Sequence, residues 1–216
     1  MIKILDKFIN IFKEKKSEIY ECYLRDLKSY FLKENFKLYK GTNYPKKINK
    51  CSDNIYAYQI IFMISEIDFP KLKEILIKYY KADIDFLDRN MPDNKDTHFN
   101  KKIILEHGLA IAKTNEYDGI VIYLLTNNIE LLNDIDHAEL EPPPPWVVFP
   151  NENPVGFDKM QYIIELWFVL FWDPFWFNLN PTKKREYIEK LRPNNCWENY
   201  LIENPYYKNI IIENNN

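Results

Sequence analysis

The chain has 216 residues, 46 % hydrophobic and 28 % charged, with a net charge of −3. A chain of this length buries roughly 70 % of its unfolded surface, which excludes a fibre or a disordered tail and requires no disulfide or metal staple. Only 4 Gly stand against 13 Pro, and only four of the 29 basic residues are Arg, so a Walker loop, a dinucleotide fingerprint and specific nucleic-acid binding all lack their residues.

The first residues, from Met1 to Ile9, are interrupted by Asp6 and Lys7 and read as a docked helix, not as a secretory signal. Ile2, Leu5, Phe8, Ile9 and Phe12 recur at helical spacing, and Ile19, Cys22, Tyr23, Leu27, Tyr30 and Phe31 repeat the pattern, which predicts two opening helices or one long bent one. Gly41 to Pro45 breaks the run, and Ser52 or Asp53 is placed to cap a helix through Ile61 to Ile64. Asp68-Phe69-Pro70 starts another, with Leu72, Ile75, Leu76, Tyr79 and Tyr80 on one side and Pro in the first turn.

Asp96 or Thr97 caps an expected helix carrying Ile103, Ile104, Leu109 and Ile111. Ile120 to Leu125 fits helix or strand, and with Ile129, Leu131 and Leu132 it suggests a helical hairpin over 99–134. Pro142 to Pro145 forces an extended segment. All five Trp lie beyond it, and Met160, Ile163, Ile164, Trp167, Phe168 and Phe171 form a strong amphipathic stripe after an Asp158 cap. Asp173-Pro174 is expected to stop that helix, Asn180-Pro181 to start the next, Arg192-Pro193 to end it, and Trp197, Tyr200 and Leu201 to lie on a last short one. The expected fold is therefore mainly α: a multi-helix globular bundle in which a helical region, residues 1–140, is joined through the polyproline segment to an aromatic-rich helical region over 141–216, the two packing as one domain.

Chemistry-bearing motifs are sparse. His98, His107 and His137 fit no metal-ligand or catalytic spacing, and Asp83-Ile84-Asp85-Phe86-Leu87-Asp88 lacks the glycine and distal Glu of a calcium loop. Cys22, Cys51 and Cys196 are odd in number and far apart, as expected of reduced thiols in the cytoplasm. The expectations are no catalytic residues, no metal, no cofactor, no nucleic-acid partner and no membrane span, the longest strongly apolar stretch, Leu166 to Trp172, falling far short of a bilayer.

Charge is distributed unevenly. Residues 1–50 carry 13 basic and 6 acidic groups, net +7, whereas 51–216 carry 16 and 26, net −10. Between Lys113 and Lys159 there is no cation, while Glu116, Asp118, Glu130, Asp134, Asp136, Glu139, Glu141, Glu152 and Asp158 supply nine negative charges. Such a run solvates a face or steers a basic partner. The partner reading takes Glu116, Asp118, Glu130, Asp134, Asp136, Glu139 and Glu141 as contact acids, with Trp146 an aromatic anchor at their edge.

The carboxy-terminal third carries Pro142-Pro143-Pro144-Pro145-Trp146-x-x-Phe149-Pro150, Gly156, Trp167, Phe171-Trp172, Leu179, Arg185, Tyr187, Pro193, Trp197 and Tyr200. In order and spacing this resembles small cytosolic immunity-type proteins that accompany bacterial secreted toxins, including type VI and related polymorphic effectors. Where that pattern tends to carry Gly-Trp-Arg-x-Gly, this chain reads Gly156-Phe157-Asp158-Lys159-Met160. The resemblance implies a non-catalytic cytoplasmic protein that binds and neutralises a cognate toxin or effector, expected to be basic. Two alternatives stand beside it: a helical adaptor or chaperone of a secretion system that holds an effector without neutralising it, and an enzyme whose site is assembled around His98, His107 or His137.

Overall fold

The computed structural model describes residues 16–17, 22–42, 44–80, 100–104, 108–154 and 162–204. The chain divides into two compact units, Met1–Glu141 and Pro142–Asn216.

The first unit is built on an antiparallel sheet, not a helical bundle. Lys16–Ser17 (β1) and Cys22–Tyr23 (β2) pair with each other, so the helix expected over 19–31 begins only at Leu24, as α1 (Leu24–Tyr30). Lys47–Asn49 (β3), Tyr58–Ile64 (β4), Asn100–Ile104 (β5), Leu109–Glu116 (β6) and Gly119–Thr126 (β7) form a five-stranded sheet in the order β3-β4-β7-β6-β5, antiparallel throughout. The mainly α expectation is overturned here. The residues assigned to a helix through Ile61–Ile64 are β4, those assigned to a helix over Ile103–Ile111 fall in β5 and β6, and Ile120–Leu125 is β7. Ser52 and Asp53 cap nothing of that kind: they lie in a single 3-10 turn, Cys51–Asp53, closed by Asn54 in the left-handed region. Asp96 and Thr97, like the helix expected over 2–12, lie outside the described residues.

The physical reason is burial on both faces. One face of β4, β6 and β7, carrying Tyr58, Ile60, Phe62, Ile64, Leu109, Ile111, Ile120, Ile122 and Leu124, packs in one core with Leu72, Leu76 and Tyr80 of α2 (Phe69–Tyr80) and Leu131, Leu132 and Ile135 of α3 (Ile129–His137). The other face, with Met63, Ala110, Ala112, Val121, Tyr123 and Leu125, is buried as well. A strand covered on both sides shows a continuous apolar run with no alternation, which periodicity cannot separate from a helix. The helix α2 matches expectation, whereas α3 is all that is helical of the hairpin expected over 99–134 among the described residues. Pro70 sits in the first turn of α2, and the Asn128 side chain caps α3 by accepting from the N–H groups of Glu130 (3.0 Å) and Leu131 (3.1 Å).

The second unit is helical. Pro144 is extended and Pro145 opens the short helix α4 (Pro145–Val148). α5 (Tyr162–Trp167) runs into a π-helical segment, Phe168–Trp172, and on into α6 (Asp173–Asn178). The expected stop at Asp173-Pro174 does not occur, because Pro174 stands in the first turn of α6, where its missing N–H costs little. Asn180 caps α7 (Pro181–Leu191), Arg192 ends it in the left-handed region, and Asn194 caps α8 (Asn195–Glu203). Trp167, Trp172, Trp176 and Trp197 are all buried, so the aromatic stripe is core.

Candidate functional site

The strand register brings several of the candidate acids to one end of the sheet. Glu116 pairs with Gly119 across a two-residue turn, Tyr117-Asp118, and both turn residues have positive φ, 55° and 52°. Hairpin turns of this kind match the twist of the strands but favour Asn and Gly, so Tyr and Asp there are strained. Asp118 is exposed at the tip, while Glu116 is half-buried and accepts from the Thr114 hydroxyl (3.3 Å).

Ile64 pairs with Ile120, so the end of β4 lies beside this turn. There the Ser65 N–H donates to the Glu141 carbonyl (2.8 Å), and the Glu141 N–H donates to Oδ2 of Asp68 (2.8 Å). Two residues before Glu141, exposed Glu139 occupies the position after the carboxy-terminal cap of α3 at φ 51°, a place usually given to Gly. Glu116, Asp118, Glu139 and Glu141 therefore share one end of the sheet with Glu66 and Asp68. The electrostatics agree. The buried Tyr44 hydroxyl, donating to the Met63 carbonyl (3.2 Å), is held above its ordinary pKa by burial and by the charges of Asp68 and Glu141. Lys113, the cation nearest along β6, is buried on the core face with its ammonium 4.6 Å from the Phe69 ring centroid.

The other candidates lie elsewhere. Glu130 is exposed in the first turn of α3, at the opposite end of β7. Asp134, midway along α3, accepts from Lys78 Nζ (2.7 Å) and the Tyr79 hydroxyl (2.8 Å) of α2. Asp136 is a structural anchor: it contacts Lys47 Nζ and accepts from the Tyr39 hydroxyl (2.6 Å) and the Thr42 N–H (2.9 Å), with its side chain nearly inaccessible. Burial pulls the Lys47 ammonium down to about 8. Trp146 belongs to the second unit, half-buried, with its ring edge-on to Trp172 and Tyr187 at 6.4 Å.

No protein-family model matches the chain, and no curated protein or solved structure matches it either. The sequence placed Asp68 only at the start of a helix and gave Glu66 no role, since only the pairing of β4 with β7 sets them beside Asp118. Among the described residues no group of three His, Cys, Asp or Glu side chains is arranged to hold a metal, and no helix is long and apolar enough to cross a membrane. His137 is exposed at the end of α3, its Nδ1 2.7 Å from the Asn133 carbonyl, while His98, His107 and the Asp83–Asp88 acids lie outside the described residues.

Proposed function

We propose that this chain is a non-catalytic immunity-type protein that binds and neutralises a cognate, basic bacterial toxin through the acidic end of its sheet. The observation that carries the reading is the pair of exposed acids, Asp118 and Glu139, held at positive φ at that end beside Glu116 and Glu141. Strained backbone persists where surrounding structure over-determines it, and such positions cluster at sites that engage other molecules. Clustered carboxylates raise the rate of encounter with a cationic surface and disfavour acidic partners. The resemblance of residues 142–200 to toxin-associated immunity proteins supports the same reading, with the cytoplasm as its compartment.

The test is growth of a heterologous bacterium expressing the toxin domain encoded by the adjoining gene, with and without this chain, followed by co-purification. Rescue with a stable complex is the expected result. The variant E116K/D118K/E139K/E141K should lose rescue and slow association, while E130K should protect as the parent does. Binding without rescue would favour an effector-holding adaptor, and full protection by the quadruple variant would remove the acidic end from the interface.

A further inference from the structure

Donors without acceptors are concentrated at one place in the second unit. The indole N–H groups of Trp172 and Trp176 are buried and have no hydrogen-bond partner. Their rings stack at 5.3 Å and 16°, with 0 % and 1 % of each residue exposed. Lys184 of α7, only 7 % exposed, lays its ammonium 5.3 Å from the Trp176 ring centroid and 5.8 Å from that of Phe177. No carboxylate among the described residues pairs with it, and Asp173, next to Trp172 in the chain, is engaged elsewhere. Burial holds the Lys184 ammonium below its ordinary pKa.

Buried polar groups are normally satisfied. Two such exceptions in one aromatic cluster, with the Lys184 ammonium against the same rings and at the end of a π-helical segment of a kind often found at functional sites, describe a place that an acceptor would complete. We propose that Lys184, Trp172 and Trp176 form a binding site for a carboxylate. A carboxylate only accepts, and its two oxygens allow one to take the ammonium while the other takes an indole N–H. One cation and two neutral donors match a single negative charge. A doubly charged phosphate would leave a charge uncompensated among aromatic rings. The site is independent of the acidic end of the sheet, and its test requires no toxin.

The full-length protein is titrated, with tryptophan emission as the readout and ionic strength held constant with chloride, in one arm with acetate and in another with N-acetyl-glutamate amide. The expected result is a saturable emission change that weakens by at least about tenfold in K184M and is retained in K184R. K184Q provides a second neutral variant in case K184M does not fold. Saturation by acetate alone identifies a small free acid as the ligand, and saturation by both identifies a carboxylate side chain. A linear response in both arms, or equal saturation in the neutral variant, would overturn the proposal.

Discussion

Lys47 and Asp136, 89 residues apart in the chain, meet in an ion pair whose side chains are 7 % and 3 % exposed, binding the start of β3 to the last turn of α3. Removing one member of a buried pair leaves an uncompensated charge, and this typically costs about 3–5 kcal/mol. K47M should therefore shift the urea midpoint strongly downward. K47M/D136L, which removes both charges, should lie closer to the parent than K47M does, although the Tyr39 and Thr42 donors then lose their acceptor.

Gly41 lies under the same anchor. A Cβ there would collide with the Asp136 carboxylate and the Tyr39 ring, so the loop can close over Asp136 only because this residue has no side chain. G41A should lower stability by about 1–3 kcal/mol, as an overpacked contact does, and thermal unfolding read by circular dichroism checks it.

The strained turn at Tyr117-Asp118 gives the opposite sign. Y117N/D118G supplies the residues that a two-residue hairpin with positive φ prefers, and should raise stability by roughly 1 kcal/mol. If the acidic end is the interface, the same variant should associate with the toxin more slowly, so a more stable protein would protect less well. Thermal midpoint and association rate, measured on one preparation, separate the two effects.

Asp134 sets a pH dependence. Hydrogen bonds from Lys78 and then Tyr79 hold its carboxyl below the ordinary 3.8, and the hydrogen bond to Asp134 holds the Lys78 ammonium above its ordinary 10.5. The depressed carboxyl contributes stability above pH 3.8 that is lost as pH falls through its folded value. The raised ammonium contributes below 10.5 and loses that contribution as pH rises further. D134N should thus be less stable than the parent at neutral pH and converge with it in acid, as denaturant midpoints across that range would show. The gap should be small and shrink with salt, because the pair is solvent-exposed.

Helices with punctuation were legible in the sequence. Pro70, Asn180-Pro181 and Arg192-Pro193 stand at the ends of α2 and α7 because each acts on its own turn of backbone. The strands were not legible. β7, from Gly119 to Thr126, is buried at every position, and without an exposed face it offers no alternation to read. Ile120-Val121-Ile122-Tyr123 fits either element, and helix-like neighbours at Ile129 and Leu131 favour the wrong one. The π-helical segment likewise hides inside a good helical stripe, since one extra residue in a turn leaves the apolar pattern nearly intact.

The acids were visible as a run without cations, but a run does not say which members face solvent. Asp136 is buried against Lys47 and Asp134 is paired with Lys78 at the surface, whereas Asp118 stands at the tip of a turn, differences that arise from tertiary folding alone. Asp68 joins the site through its hydrogen bond from Glu141, a contact spanning 73 residues.

The order in which the sheet is built has a consequence for synthesis on the ribosome. β6 and β7 are joined by a two-residue turn and can zip as soon as they emerge. β4, which reads Tyr-Gln-Ile-Ile-Phe-Met-Ile, pairs with β7 along its whole length, yet leaves the exit tunnel well before that partner is translated. For an interval on the order of seconds at ordinary elongation rates, the nascent chain carries an apolar strand with its edge unpaired on that side. During that interval Ile60 to Ile64 is an apolar strand with an open edge, the kind of segment that aggregates when left unpaired.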